Sequence, residues 1–538
     1  MTNLSLVSQP LLSVRNLSIE FQTAQGPVRA VRDVSFDLMA GKTLAVVGES
    51  GSGKSTLVAA INGLLADNGR VAAGEVLFDG QDLAQMDEPA LQRLRGQGIG
   101  LVPQDPMTNL NPIQRIGTQI GEALEIHGRT KGSATRARVV ELLTMVGIPE
   151  PARRARQYPH ELSGGMRQRV LIAMGLACEP KLLIADEPTS ALDVTVQRVI
   201  LDELADLTAR LHTATIFVTH DLALASERAD DVLVLYRGDP VEQGPSRDVL
   251  RAPAHRYTSD LIAAAPRIDG PLLPEAPALE AQKPLLELVG LRKTYVNKGA
   301  GAGSFVALEG SSFAIRKGQT VSVVGESGSG KSTTARLLLG LEQPTAGNIL
   351  FEGHDISGLK GEAKKAFRRR VQPVFQNPLG SLDARFTVAQ SIEEPMLLHN
   401  VPRAERRARV DELLDRVSLP ASMKQRRPDE ISGGQAQRVA IARALSLNPD
   451  LVVLDEAVSA LDVLVQAQIL DLLAELQETL GLAYLFISHD LSVVRQISHV
   501  VHVMSKGRIV ESGKPADIFN APADPYTRAL ISAVPRVA

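Results

Sequence analysis

Nine residues, GESGSGKST, occur twice in this chain, at Gly48–Thr56 and again at Gly325–Thr333. The offset is 277 residues, Lys54 to Lys331. Later pairs keep an offset of 269: SGG at Ser163–Gly165 and Ser432–Gly434, Asp186 and Asp455, SALD from Ser190 and from Ser459, His220 and His489, Tyr257 and Tyr526, Pro266 and Pro535. A period this long means two whole domains rather than a solenoid, whose repeats run about 20–50 residues. The change of offset places small loop deletions in the second copy. With 44% apolar residues among 538, both copies can build a sizeable core.

Between the copies lies Pro266–Pro284, with five prolines in nineteen residues. That density disfavours helix and sheet, and a semi-extended linker is expected. The expected organisation is a first domain with a C-terminal extension over 1–267, a linker over 268–284, and a second domain with its own extension over 285–538. A Gly-rich stretch, Gly299–Gly303, falls between two strand-like segments of the second copy and is expected to form a hairpin tip.

Composition excludes several classes of function. Lys and Arg number 58 against 61 Asp and Glu, a net charge of −3, so no global basic excess speaks for nucleic acid. The lone Cys178 rules out an intramolecular disulfide framework and four-cysteine metal or iron–sulfur sites, and fits a reducing compartment. Cys178 follows LIAMGLA and is expected to be a small core residue of an apolar helix. No apolar run reaches the roughly 18–20 residues of a membrane span, and Met1–Pro10 lacks the positive start of a secretory signal. The basic run from Lys364 to Arg370 reads as a solvated helix face.

Within each copy, short apolar runs end in polar residues. Leu44–Val47 feeds the first Gly loop and Lys54 opens a helix; Leu182–Ala185 ends at Asp186; Thr215–Val218 precedes Thr219 and His220. This describes an α/β fold with a mostly parallel sheet and its site at the strand carboxyl ends. The loops Gly48-Glu49-Ser50-Gly51-Ser52-Gly53-Lys54-Ser55-Thr56 and Gly325-Glu326-Ser327-Gly328-Ser329-Gly330-Lys331-Ser332-Thr333 fit GxxxxGK[ST] between a strand and a helix. That pattern is a phosphate cradle. Glycines let backbone N–H groups face the phosphates, Lys54 and Lys331 reach the β/γ-phosphates, Ser55 and Ser332 can ligate Mg²⁺, and the helix start adds partial positive charge. Asp186-Glu187 and Asp455-Glu456 bring two adjacent carboxylates to the sheet edge. The Asp suits Mg²⁺ and the Glu suits taking a proton from an attacking water.

These motifs resemble those of the ATP-binding cassette ATPases, and the resemblance covers nearly the whole chain twice. The discriminating stretches are LSGGMRQR at Leu162–Arg169 and ISGGQAQR at Ile431–Arg438, similar to that family's signature. The resemblance implies two P-loop NTPase domains in tandem, each with a β-subdomain and a helical signature subdomain. It implies ATP and Mg²⁺ as cofactors. Gln104 and Gln376 match its metal-binding and catalytic glutamine, His220 and His489 its switch histidine, and Asp193 and Asp462 its D-loop aspartate. Phe21 and Tyr295 match the aromatic that stacks on adenine, although an aromatic in a strand also serves a core. Ser163, Gly164 and Gly165, like Ser432, Gly433 and Gly434, would face the ATP held by the other domain, so Lys54 would share a site with Ser432 and Lys331 with Ser163. Both sites have every catalytic group. Ala457 and Val458 stand where the first copy has Pro188 and Thr189.

Zinc modules, long inserted coiled coils and a charged helical linker would mark cassette ATPases of DNA repair, chromosome organisation or translation, and the chain has none of these. Fused membrane helices, usual in exporters, are also missing. An importer with separate membrane subunits remains, with a soluble role in translation or DNA repair as the weaker alternative. The tails Ala252-Pro253-Ala254-His255-Arg256-Tyr257-Thr258 and Ala521-Pro522-Ala523-Asp524-Pro525-Tyr526-Thr527 resemble the C-terminal extension of the oligopeptide/dipeptide importer ATPases, a group that includes nickel and glutathione importers. The expected function is to energise import of di- or oligopeptides, with nickel, glutathione or another small solute as the alternative. The expected partners are two membrane-spanning permease subunits and an extracytoplasmic substrate-binding protein, at the cytoplasmic face of the membrane. The segments after the glutamines, Met107–Arg115 and Leu379–Thr387, differ enough to suit two different permease subunits.

Overall fold

Five-residue strands that are mostly apolar and almost wholly buried form the centre of each half of the chain. In a computed structural model, residues 9–23, 26–189, 192–273, 281–296, 303–459 and 461–536 are described. They fall into two units, one reaching Leu192 and resuming over Val196–Ala265, the other spanning Pro266–Val534.

The first unit has two sheets. Strands β1 (Leu12–Thr23), β2 (Gly26–Leu38), β4 (Gly69–Phe78) and β5 (Gln81–Asp82) form an antiparallel sheet in the order β2-β1-β4-β5. Strands β3 (Thr43–Val47), β6 (Ile99–Val102), β7 (Leu182–Asp186), β8 (Ala214–Val218), β9 (Asp231–Tyr236) and β10 (Asp239–Pro245) form the second sheet in the order β10-β9-β3-β8-β7-β6. All of its strands are parallel except β10, which returns antiparallel along β9. Both faces of the parallel strands are covered, so their sequences are mostly apolar without a regular polar alternation. Along β7, Leu182 and Ile184 pack with Leu57 and Ile61 of the helix Lys54–Ile61 and with the antiparallel sheet. Leu183 and Ala185 face the opposite way, toward Ile120, Leu142, Val170 and Leu204 on four further helices.

The second unit repeats this plan. Strands β11 (Leu286–Val296), β12 (Ser304–Ile315), β14 (Ala346–Phe351) and β15 (His354–Asp355) pair in the order β12-β11-β14-β15. Strands β13 (Thr320–Val324), β16 (Val371–Val374), β17 (Leu451–Asp455), β18 (Ala483–Ile487), β19 (Val500–Ser505) and β20 (Arg508–Gly513) pair in the order β16-β17-β18-β13-β19-β20. Leu451 and Val453 join the core shared with the antiparallel sheet, and Val452 and Leu454 join the helical core.

Register fixes where the site can be. In the first unit Val46 and Asp186 both lie level with Val218. In the second, Val323 and Asp455 both lie level with Ile487. Residues just past these strand ends therefore share one edge.

The helix Gly164–Leu176 stops short of Cys178, which is buried in the turn that follows, with its Sγ 3.5 Å from the Ala123 carbonyl. Burial pushes that thiol's pKa up, which suits an inert core residue. The basic helix Gly361–Arg370 buries Phe367, and Arg370 is not a free solvated cation: it binds Glu352 at 2.7 Å and Asp450 at 2.5 Å. The Pro-rich segment begins as a turn, Gly270 N–H to the Arg267 carbonyl at 3.0 Å, and Ile268 is buried in the second unit's core. Arg495 Nε donates to the Gly270 carbonyl at 2.9 Å. Residues 274–280 of that segment, 1–8 of the N-terminus, and 297–302 of the Gly-rich stretch lie outside the described residues, as do Ser190 and Ala191 of the first SALD. The strands flanking the Gly-rich stretch are antiparallel, with Val296 opposite Ser304. Among the described residues no helix is long and apolar enough to cross a membrane.

Candidate active site

The two Gly loops sit where a side chain would collide with backbone. A Cβ at Gly48 would lie 2.2 Å from the Leu235 carbonyl, and one at Gly53, where φ is +104°, would lie 2.7 Å from the Ala30 carbonyl. Gly325 and Gly330 repeat both constraints, at 2.1 Å from the Met504 carbonyl and 2.7 Å from the Ala307 carbonyl. Lys54 and Lys331 are buried at the start of their helices. Lys54 Nζ donates to the Gly48 and Glu49 carbonyls at 2.7 and 2.8 Å; Lys331 Nζ donates to those of Gly325 and Glu326 at 2.7 and 2.9 Å. Ser55 and Thr56, like Ser332 and Thr333, fall in the first helical turn, whose N–H groups have no helical partner. The hydroxyls of Ser52 and Ser329 are buried without a hydrogen-bond partner. Orphaned donors in a concave loop of this kind fit a phosphate group.

At the neighbouring strand ends the expected residues meet. Glu187 and Glu456 adopt the left-handed backbone, with φ of +44° and +50°. Such a conformation costs a non-glycine residue about 1–3 kcal/mol, and each is held by its own N–H, to the Val218 carbonyl at 3.0 Å and the Ile487 carbonyl at 2.9 Å. The turn puts each carboxylate between a glutamine and a histidine. Gln104 Nε2 donates to Glu187 Oε2 at 2.7 Å, and His220 Nδ1 lies 3.1 Å from Oε1. In the second unit Gln376 Nε2 donates to Glu456 Oε2 at 2.6 Å, and His489 Nδ1 lies 3.4 Å from Oε1. Burial alone would raise the Glu187 carboxyl, but His220, Lys54 and Gln104 outweigh it and hold the group below its ordinary pKa. Glu456 behaves alike, through His489, Lys331 and Gln376. Burial would lower both imidazoles, yet Glu187 and Asp221 raise His220, and Glu456 and Asp490 raise His489.

The preceding aspartates go the other way. Burial first, then the adjacent glutamate, push Asp186 and Asp455 above the ordinary carboxylate value, against Lys54 and Ser55 in one unit and Lys331 and Arg336 in the other. Asp455 Oδ1 is buried with no hydrogen-bond partner. Desolvated carboxylates, one with an unsatisfied oxygen and the other beside the Ser55 hydroxyl, fit a hard cation such as Mg²⁺.

The remaining expected residues take up separate positions. Ser163 caps the helix Gly164–Leu176 by accepting from Met166 N–H, and Ser432 caps Gly433–Leu445 by accepting from Gln435 N–H, both at 3.3 Å. Gly165 and Gly434 let a neighbouring helix approach: a Cβ on them would sit 2.7 Å from Val196 Cγ1 and 2.4 Å from Val465 Cγ1. Asp193 immediately precedes the helix Val194–Leu211, and Asp462 caps Val463–Leu480 through Val465 N–H at 3.1 Å. Phe21 is half-buried on β1 with its ring over Gly69. Tyr295 is half-buried on β11, donates to Glu342 at 2.7 Å and carries Lys293 Nζ 5.0 Å from its ring centre.

At the P-loop, one contact lies outside both the motifs and the resemblance. The hydroxyls of Tyr257 and Tyr526 accept from the N–H groups of Glu49 and Glu326, both at 3.0 Å. The matched offset of these tyrosines was the available signal.

The Glu–His contact has a pH signature. A raised imidazole pKa means that its stabilising charge is fully present below the unfolded value, near 6.5, and is lost as pH rises through the higher folded value. The lowered glutamates lose theirs only as pH falls below the ordinary carboxylate range. Urea midpoints measured from pH 6 upward should therefore decline more steeply for the native chain than for a His220→Gln/His489→Gln variant. Parallel profiles would exclude a charged pair.

Comparison with known proteins places these features in a family. Residues 31–190 and 308–459 match the family described as ABC transporter. Residues 241–290 and 510–538 match the one described as oligopeptide/dipeptide transporter, C-terminal region. The glutathione import ATP-binding protein GsiA of Pectobacterium atrosepticum is 45% identical over 564 residues, covering 99% of this chain and 90% of that protein. The peptidoglycan transport ATP-binding protein YejF of Agrobacterium fabrum is 47% identical over 534 residues, covering 98% and 96%. GsiA of Escherichia coli K12 is 42% identical over 557 residues, covering 98% and 89%. Matched twice along its length by the cassette and twice by the C-terminal region that follows it, the chain belongs to the ABC transporter family.

Proposed function

We propose that the chain is the ATP-hydrolysing subunit of an importer for small peptides. It works at the cytoplasmic face of the membrane on separate permease subunits supplied by an extracytoplasmic binding protein. The observation that carries the ATPase reading is the convergence, in both units, of glutamine, glutamate and histidine at the strand edge beside a buried P-loop lysine. The peptide reading is supported by the oligopeptide-type region after each cassette and by relatives named for import of glutathione, itself a tripeptide, and for peptidoglycan transport. Glutathione is thus the second cargo to test.

Lys54 and Lys331, with the loop N–H groups, hold the phosphates. Ser55, Asp186 and Gln104 in one unit, and Ser332, Asp455 and Gln376 in the other, would hold Mg²⁺, which when bound neutralises phosphate charge. Glu187 and Glu456, kept ionised by their partners, accept the proton of the attacking water. His220 and His489 fix the orientation of those carboxylates. The pairings of Lys54 with Ser432 and of Lys331 with Ser163 belong to the same proposal, as does the use of two different permease subunits. The segments after the glutamines present different surfaces: Met107 and Ile113 are exposed in the first unit, whereas the second exposes Leu379 and carries Asp383, which Arg385 binds through both carboxylate oxygens.

Glu187→Gln/Glu456→Gln should keep ATP affinity and lose turnover by roughly 10²–10⁴-fold, the usual worth of a general base. Native turnover in that variant would remove both glutamates from the mechanism. Ser432→Arg should abolish nucleotide trapping on the first P-loop, as read by photo-crosslinking and peptide mapping; loss confined to the second P-loop would contradict the pairing. Single cysteines at Asn109 and Ser381, in a Cys178→Ala background, should each crosslink to one permease subunit only. Equal crosslinking of both positions to one kind of subunit would show a homodimeric permease.

A further inference from the structure

The C-terminal extension of each cassette reaches back to its own P-loop. In the first unit the edge strand β10 supplies Glu242, whose carboxylate accepts from Ala254 N–H at 2.7 Å and His255 N–H at 3.2 Å. This ties down the Ala-Pro-Ala-His turn. His255 then caps the helix Arg256–Ala264 through Tyr257 N–H, at 3.2 Å. The Tyr257 ring is buried against Tyr236 at the end of β9, with centres 4.2 Å apart. The second unit repeats the construction with a different capping residue. Glu511 on β20 accepts from Ala523 N–H at 2.7 Å and Asp524 N–H at 3.1 Å, and Asp524 caps the helix Pro525–Ser532 through Tyr526 N–H at 2.7 Å.

Both constructions deliver a tyrosine hydroxyl to one peptide unit. The Gly48–Glu49 peptide donates its N–H to Tyr257 and offers its carbonyl to Lys54 Nζ. The Gly325–Glu326 peptide stands between Tyr526 and Lys331 in the same way. A peptide group is planar, so fixing its N–H fixes the direction of its carbonyl. A hydrogen bond at one end also strengthens the bond at the other by polarisation. Burial holds the Tyr526 hydroxyl up to about 12, so this link stays protonated through the physiological range.

We propose that Tyr257 and Tyr526 are positioning residues for the P-loop lysines, each holding the peptide whose carbonyl aims the lysine ammonium at the nucleotide phosphates. This rests on the nucleotide-binding reading given above. It also gives the extension a task inside the ATPase, separate from any contact with a partner.

The test uses the full chain. Tyr257→Phe/Tyr526→Phe removes two hydroxyls and keeps the rings. Its ATP dissociation constant, measured by calorimetry with Mg²⁺ present, should rise about 2- to 12-fold, the range that one hydrogen bond per site supports. The same pair of substitutions in a Lys54→Ala/Lys331→Ala background should give no further loss, because the tyrosines act through the lysines. Unchanged affinity in the first case, or an undiminished loss in the second, would overturn the proposal. Hydrogen exchange at the Glu49 and Glu326 amides of the unmodified chain supplies a reading that no substitution can spoil: protection is expected, and free exchange would overturn it. An unmodified chain that bound no ATP would instead remove the nucleotide-binding reading itself.

Discussion

The level ending of parallel strands is the constraint on which the rest of the structure depends. Strands β3, β7 and β8 are buried on both faces, so no charged group can be carried along their length without a large desolvation cost. Polar groups are admitted only where the strands stop, and the register brings Val46 and Asp186 level with Val218. The P-loop, the acidic pair and the histidine are then neighbours without any one of them needing a long reach. The left-handed turn at Glu187 completes the arrangement by swinging one carboxylate off the strand axis while its N–H still bonds to β8.

That turn also separates two adjacent carboxylates by environment. Asp186 stays in line with its strand, loses solvent, and is pushed toward the neutral form. Glu187 suffers a comparable burial, yet gains a histidine and a glutamine, one for each oxygen, and is pulled toward the charged form. Neighbouring acids whose environments drive their pKa values apart are suited to different tasks. A cation can relieve the first, whereas the second is already satisfied and ionised and can exchange its partners for a water.

What was legible in the sequence was what is contiguous. GESGSGKST carries its glycines, lysine and serine in one stretch, and each acidic pair follows its strand directly, so spacing alone located both. The convergence of Gln104, Glu187 and His220 could be inferred only through family resemblance, because it depends on strand order across more than a hundred residues. Contacts that neither motif nor resemblance names were missed. Arg370 looks like part of a solvated basic run until Glu352 and Asp450 are seen beside it. Cys178 has the composition of a helix around it, but the helix Gly164–Leu176 ends first. The Pro-rich segment hides Ile268, whose burial depends on a core assembled from distant residues.

The duplication supplies an internal control. Where the two units reach the same contact through different residues, geometry is being preserved over composition. The caps before Tyr257 and Tyr526 are a histidine and an aspartate, yet both tyrosine hydroxyls stop at 3.0 Å from the equivalent N–H. The lysine, glutamine and glutamate contacts agree as closely, at 2.7 and 2.7 Å for the first lysine bond and 2.7 and 2.6 Å for the glutamine. The units also differ: at the edge, Ala457 and Val458 replace Pro188 and Thr189, and the histidine stands 3.4 Å rather than 3.1 Å from its glutamate; on the helical side, Gln435 closes a capping box at the second signature helix that Met166 cannot close at the first, and Arg385 clamps Asp383 in a segment with no charged pair in the first unit's Met107–Arg115. Shared catalytic contacts beneath divergent helical surfaces support the proposal that the two units face different permease subunits, since a surface shaped for one partner disfavours another.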